Sequence, residues 1–382
     1  MPPRGAFTTL PRMHGRVALA LTAVLTLVAI VLSFTPASPL LVFGMAALSI
    51  LGLAALLGGA TEELGAHLGH RVGGILNATV GNVGEIIIAV FALKAGLIDL
   101  VKASITGSII GNLLLVFGAS ITVGGLKHGI QRFDARSAGM NAVQLVLATI
   151  GLVVPATFAL LVGGEHIAQN FMPIENVTLG VAGLLIVLYG LSVYYDLTRP
   201  LTGAVRSGDE MHTAEAEGAA ARRHWSRPLG MLLVSAAALA WVSEILVGAV
   251  EPVVHQLGIT QFFLGIVVIP IIGNLAEHLV ALQLARKNQM DFAIAVSLGS
   301  ATQVALFAAP LLVFLSIPLG HPLTLVFTPF EVVAVGVGAL IAALIAIDGE
   351  SNWLEGAQLI ATYLILALAF FFLPVAAGPA HP

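Results

Sequence analysis

The chain contains no cysteine among its 382 residues, so neither a disulfide nor a thiolate metal site is available to it. Charge is scarce as well. Asp, Glu, Lys and Arg make up 9% of the chain, against 58% hydrophobic residues. A soluble protein of this length cannot hide so much apolar surface, and the mean hydropathy of +1.01 leads to the same conclusion. The net charge of −4 offers no basic surface to a nucleic acid. Two enzyme signatures are also missing: there is no H-E-x-x-H and no G-x-S-x-G. "GEHIA" (164–168) and "AEHLV" (276–280) each hold one histidine, in the wrong order for a zinc helix.

What is present is a series of apolar runs, each long enough to cross a hydrocarbon core about 30 Å thick. They predict helices near 16–34, 39–61, 74–94, 98–124, 137–162, 176–196, 229–250, 259–285, 290–317, 324–347 and 353–376. The chain therefore reads as an all-α polytopic membrane protein with eleven transmembrane helices. Arg4, Arg12 and Arg16 precede the first run, which resembles a secretory signal. Its length, and the poor cleavage site in "TPASP", favour a retained helix. The one sizeable polar interruption, Thr198 to Arg227, predicts a cytosolic linker. Its Asp209, Glu210, Glu215 and Glu217 are diluted by Ala and Gly and make it weakly acidic. The expected division is an extra N-terminal helix (1–36), a first five-helix repeat (37–197), the linker (198–228) and a second five-helix repeat (229–382). Every one of the 16 basic residues except Lys94 and Lys102 falls on the N-terminal side of this topology. That bias places the N-terminus in the cytosol and the C-terminus on the opposite side. The compact chain and short loops point to a bacterial inner membrane.

The repeat is visible residue by residue. "GNVGE" (Gly81–Glu85) recurs as "GNLAE" (Gly273–Glu277), 192 positions on. The same offset carries Lys94 to Arg286, Asp99 to Asp291, Gly107 to Gly299 and Ser108 to Ser300. Upstream the offset becomes 189 and relates Glu62 to Glu251. Equivalent positions are five helices apart, an odd number, so the two units run in opposite directions through the membrane. Inverted repeats of this kind are typical of secondary transporters, with the substrate site at the repeat interface near the midplane.

A carboxylate at the bilayer centre costs about 2.5–3.5 kcal/mol even on lenient scales. Glu85 has no basic residue within four positions, and Glu277 has only His278, about 100° around a helix from it. A bound cation or a proton would neutralise either acid. Asn82 and Asn274 lie three residues before each Glu, Gly81 and Gly273 permit irregular backbone, and Pro270 frees a carbonyl one turn earlier. Ser108, Ser300 and Gln303 follow on the next helices. Oxygen ligands without thiolate suit calcium best, with sodium and manganese as alternatives. When a divalent cation leaves, two like charges remain in a low-dielectric site, and protons should replace it. A site that alternates between cation and protons is an exchanger. If both acids and nothing else carry protons, one calcium exchanges for two protons.

"GGILNATVGNVGEIIIAVFALKAGLIDLVKASITGSIIGNLLLVFG" and "IPIIGNLAEHLVALQLARKNQMDFAIAVSLGSATQVALF" closely resemble the paired signature repeats of calcium/proton exchangers. These belong to the calcium/cation antiporter superfamily, which also contains the sodium/calcium exchangers. The resemblance spans the second to eleventh predicted helices. It implies that Glu85 and Glu277 carry both calcium and protons. It also implies that Asn82, Asn274, Ser108, Ser300 and Gln303 line the site with backbone of the two motifs. It makes Glu62, Glu244 and Glu251 candidates for access cavities; their plain reading is solvated acids at helix ends. His278 matches a position linked to transport, and its plain reading is a packing histidine. The first and sixth helices resemble the pair that slides against the core. No cofactor is implied beyond the transported calcium and protons. A sodium, potassium or broader cation/proton exchanger is the alternative. Gly111 occupies the position equivalent to Gln303, so the halves differ chemically.

Overall fold

The structure, a computed structural model, describes residues 12–68, 79–163, 171–198 and 225–373. The linker acids and the "GEHIA" segment lie outside these residues, as does Arg71. The helices are α1 (Arg12–Ser33), α2 (Pro39–Leu68), α3 (Val83–Lys94), α4 (Ile98–His128), α5 (Ala135–Gly163), α6 (Phe171–Thr198), α7 (Ser226–Leu257), α8 (Gln261–Arg286), α9 (Met290–Ser316), α10 (Pro329–Asp348) and α11 (Trp353–Phe372). Among the described residues nine of them, α2 and α4 to α11, are long and apolar enough to cross a membrane. Val17–Ser33 of α1 is a shorter apolar helix. The fold is thus helical and membrane-spanning, as the composition requires.

The chain forms two compact units, Met1–Ile88 with Thr202–Gln256, and Ala89–Leu201 with Leu257–Pro382. In the first, α2 packs on α7 and on α1. Phe43, Ala46, Ile50, Leu53, Leu57, Ala60 and Leu64 are buried along α2, and their alternating spacing of three and four makes one narrow seam. Leu239, Val242 and Leu246 form the answering stripe on α7. On the other contact, Thr22 packs over Gly52, and Thr26 Oγ1 and Ser49 Oγ share a hydrogen bond of 2.7 Å. Small residues and hydroxyls are the usual means by which helices associate in lipid. Of the first and sixth helices, α1 belongs to this unit and α6 to the other; within this unit the pairing helices are α2 and α7, one place on in the count because of the extra N-terminal helix.

In the second unit α4 and α9 are the most buried spans, at 72% and 67% of their apolar windows, so they form its centre. The 192-residue offset recurs in the backbone. α3 ends at Lys94 and α8 at Arg286; α4 begins at Ile98 and α9 at Met290. Both connections close with the same hydrogen bonds: Gly96 N donates to Leu93 O and Leu97 N to Ala92 O, and Asn288 N donates to Ala285 O and Gln289 N to Leu284 O. This is a Schellman ending with a left-handed residue, Gly96 at φ +75° and Asn288 at φ +61°. Gly and Asn are the two residue types that adopt that conformation at least cost.

Loop contacts define two ends of this unit. At one end the His321 ring packs beside Gly96, Lys102 Nζ donates to Val326 O at 2.9 Å, and Leu325 N donates to Thr178 Oγ1 at 3.3 Å. At the other, Lys127 Nζ donates to Arg286 O at 2.9 Å and Asp134 N to Asp291 Oδ1 at 2.7 Å. There β1 (Gln131–Arg132) pairs antiparallel with β2 (Glu350–Ser351). The exposed Arg132–Glu350 ion pair, at 3.0 Å, adds little to this clip because water screens it.

Candidate cation site

The second motif is built on α8. Thr260 caps the helix start, its hydroxyl accepting from Phe263 N at 2.9 Å. Leu264–Val268 then forms a π turn, and Pro270 follows two residues later. A proline has no N–H, so the Ile266 carbonyl loses its ordinary α-helical partner at position 270. The Ile266 oxygen lies against Gly107 of α4, so close that a β-carbon on Gly107 would collide with it. Gly265 is as constrained: a β-carbon there would come within 2.8 Å of the Ala103 side chain and 2.9 Å of Leu100 O. The α4–α8 crossing is therefore backbone on backbone. Gly107→Ala is expected to lower the unfolding midpoint of the detergent-solubilised protein by several degrees, because overpacking costs about 1–3 kcal/mol. Gly299→Ala, the matching change in the other half, meets nothing within 4 Å and should not lower the midpoint.

Beyond Pro270, α8 continues unbroken through Gly273, the buried Asn274 and Glu277. Asn274 and Glu277 are three residues apart and lie on one helix face. His278 is also buried, whereas the next two residues, Leu279 and Val280, are exposed, so His278 faces protein. α8 packs on α4, α9 and the π turn Gly111–Val116 of α4. Ser108 precedes that turn on α4 and is buried. On α9, Ser300 is buried and Gln303 is the last α-helical residue before the π turn Val304–Ala308, which again ends two residues before a proline, Pro310. Three π turns therefore border the segments that carry the predicted oxygen ligands, and such turns are frequent at functional sites.

Asn112, in the first of these turns, donates from Nδ2 to Ser300 Oγ at 3.1 Å and is buried. It ties α4 to α9, and the sequence reading did not select it. A signal existed: Gly111–Asn112 is a further Gly-Asn pair, lying between the two motif copies. Ser300 thus has its hydroxyl oriented by a neighbour from the other half.

Gly81, Asn82 and Glu85 fall in the first unit. Here the motif breaks the helix. Thr79 and Val80 are helical, Gly81 and Asn82 form a turn, and α3 starts at Val83. Asn82 occupies the N-cap position and is buried; Glu85 is at the third helical position and half-buried. Asn-x-x-Glu at a helix start is the pattern of a capping box. Glu62 and Glu244, on α2 and α7, are exposed, as is Glu251 in α7. Among the described residues no group of three or more acids or histidines gathers into one cluster. The donor set is one of few charges and many neutral oxygens.

A family model described as sodium/calcium exchanger protein matches residues 38–198 and 227–372. The Ca(2+)/H(+) antiporter of Aphanothece halophytica is 42% identical over 348 residues, covering 87% of this chain and 91% of that protein. The Ca(2+)/H(+) antiporter ChaA of Bacillus subtilis is 40% identical over 334 residues, covering 87% and 92%. Among solved structures, native YfkE, a Ca2+/H+ antiporter, superposes with a TM-score of 0.78 at 36% identity, covering 94% of this chain and all of that one.

Proposed function

The chain belongs to the sodium/calcium exchanger protein family, and from that membership we infer that it is a secondary active antiporter exchanging calcium for protons across a membrane. The observation that carries this reading is near-full-length identity of 40% and more to calcium/proton antiporters, together with a motif-bearing acid on each of α3 and α8.

We place the shared cation/proton site at Glu85 and Glu277, with Asn82, Asn274, Ser108, Ser300, Gln303 and the backbone of Gly81 and Gly273 as further ligands. The two carboxylates bind calcium when ionised and protons when calcium has left. Alternating exposure to the two sides then couples the fluxes. The proposed topology has eleven spans: α1 followed by two inverted five-helix repeats, joined by the cytosolic linker. The matching ends of α3 and α8, and the matching starts of α4 and α9, support the repeat. The gathering of Lys127, Arg132, Arg136, Arg286 and Lys287 at one end of the second unit supports a cytosolic assignment for that end. The bacterial relatives support an inner-membrane location, N-terminus inside.

The test is a cation challenge in everted vesicles carrying an acid-inside pH gradient. Calcium is expected to collapse the gradient, and sodium or potassium at the same concentration to leave it standing. Collapse by sodium or potassium with calcium inert would replace calcium by a monovalent cation. Because protons and calcium compete for the same carboxylates, the calcium concentration needed should rise as the external pH is lowered.

A further inference from the structure

Three consecutive residues of α4 occupy three different directions. Thr106 Oγ1 donates to Glu331 Oε1 of α10 at 2.9 Å. Gly107 lies against Ile266 O of α8. Ser108 is the proposed cation ligand, 2% exposed. Successive side chains of a helix are 100° apart. The Thr106 and Gly107 contacts therefore fix the rotation of α4 about its own axis, and with it the direction of the Ser108 hydroxyl.

Glu331 is unusual for a capping residue. Its Oε2 accepts from Thr328 N at 2.8 Å while Thr328 Oγ1 accepts from Glu331 N at 3.3 Å, which closes a capping box at the start of α10. Such glutamates belong at wet helix ends, yet Glu331 is 1% exposed. Its second oxygen is committed to α4. One turn earlier on the same face of α4, Lys102 Nζ donates to Val326 O at 2.9 Å and Thr324 Oγ1 at 3.4 Å. One short stretch, Thr324 to Glu331, thus grips α4 at two heights. A small cavity touches the grip, lined by Thr106, Thr149, Leu152, Glu331 and Val335. Packing beside Thr106 is thus incomplete, and the hydrogen bonds to Glu331 and Val326 add to the Gly107 contact in holding α4.

We propose that Glu331, Thr106 and Lys102 are positioning residues for the cation site: they set the rotation of α4 and so place the Ser108 hydroxyl. The proposal rests on the reading of Ser108 as a ligand. A rotation of about 20° would carry a hydroxyl about 4 Å from the helix axis through more than about 1 Å. Calcium tolerates oxygen distances of only about 2.3–2.6 Å. Losing the grip should therefore weaken calcium binding before it slows turnover.

The test compares Thr106→Val, which keeps the shape and loses the donor, with Thr106→Ser, which keeps the donor, in full-length protein reconstituted in liposomes. Calcium-driven proton release gives KM for calcium and kcat separately. Thr106→Val is expected to raise KM about tenfold with kcat within about twofold, and Thr106→Ser to stay near the wild type. Lys102→Met serves if Thr106→Val does not fold: it keeps the aliphatic length and loses the donor to Val326 O and Thr324 Oγ1, so KM should again rise. Ser108→Ala runs in parallel. If Ser108→Ala raises KM but Thr106→Val and Lys102→Met do not, or if they lower kcat alone, the positioning role is wrong and the ligand reading stands. If Ser108→Ala leaves KM unchanged, the ligand reading fails and the inference goes with it.

Discussion

Glu277→Gln is expected to abolish proton-coupled calcium transport, with a loss in kcat/KM of at least about a hundredfold, in a protein that still folds. Gln has nearly the shape of Glu and a similar helix propensity, so α8 should be undisturbed. What disappears is the negative charge and the site for a transported proton. Removing one partner from a buried charge pair costs about 3–5 kcal/mol, and every 1.4 kcal/mol is a factor of ten in affinity. A dication left with a single carboxylate would carry uncompensated charge in a low-dielectric site. The measurement is calcium uptake into everted vesicles, with thermal unfolding as the control for folding. Uptake near the wild-type rate would remove Glu277 from the site.

Glu85→Gln should be as severe, and its backbone setting makes the interpretation cleaner. Glu85 stands at the third position of α3, where Gln satisfies a capping box as well as Glu does. The substitution can preserve the helix start while removing the charge. Any loss of transport then reports on the ion and not on the fold. The double variant should be no worse than either single one, since residues that act as a unit are not additive. Normal transport by Glu85→Gln would remove Glu85 from the site, and a double variant far worse than both singles would mean that the two acids serve separate steps.

The two motif copies show how far sequence reaches. Their identity, spacing and offset are plain in the chain, and the last residues of α3 and α8 and the first residues of α4 and α9 follow the same offset. Yet one copy starts a helix and the other lies inside one. The break falls at Gly81 and Asn82, which both copies share, so it depends on context; inside the motif the copies differ at Val83 and Gly84 against Leu275 and Ala276. A β-branched residue and a glycine disfavour helix where leucine and alanine favour it. The start of α10 was also legible in retrospect. The apolar Leu325–Phe327 extends the predicted helix back to 324, but the residue before Pro329 is held out of the α region, and "TPFE" is a capping box. That Glu331 is buried against Thr106 was not legible, because it joins residues 225 positions apart. The π turns were half visible, through Pro270 and Pro310; the one at Gly111–Val116 has no such marker. The pairing of α2 with α7 depended on how the extra helix was counted.

The central claim is coupled exchange of calcium for protons, and it is tested most directly by recording both fluxes at once. Purified full-length protein in liposomes, with calcium as the only added metal ion, would be followed with a calcium indicator outside and a pH indicator inside. Calcium entry should move protons outward in fixed proportion, two per calcium if Glu85 and Glu277 are the only carriers, and should stop when no proton can be exchanged. Calcium entry that continues without proton movement would contradict exchange and identify a passive pathway.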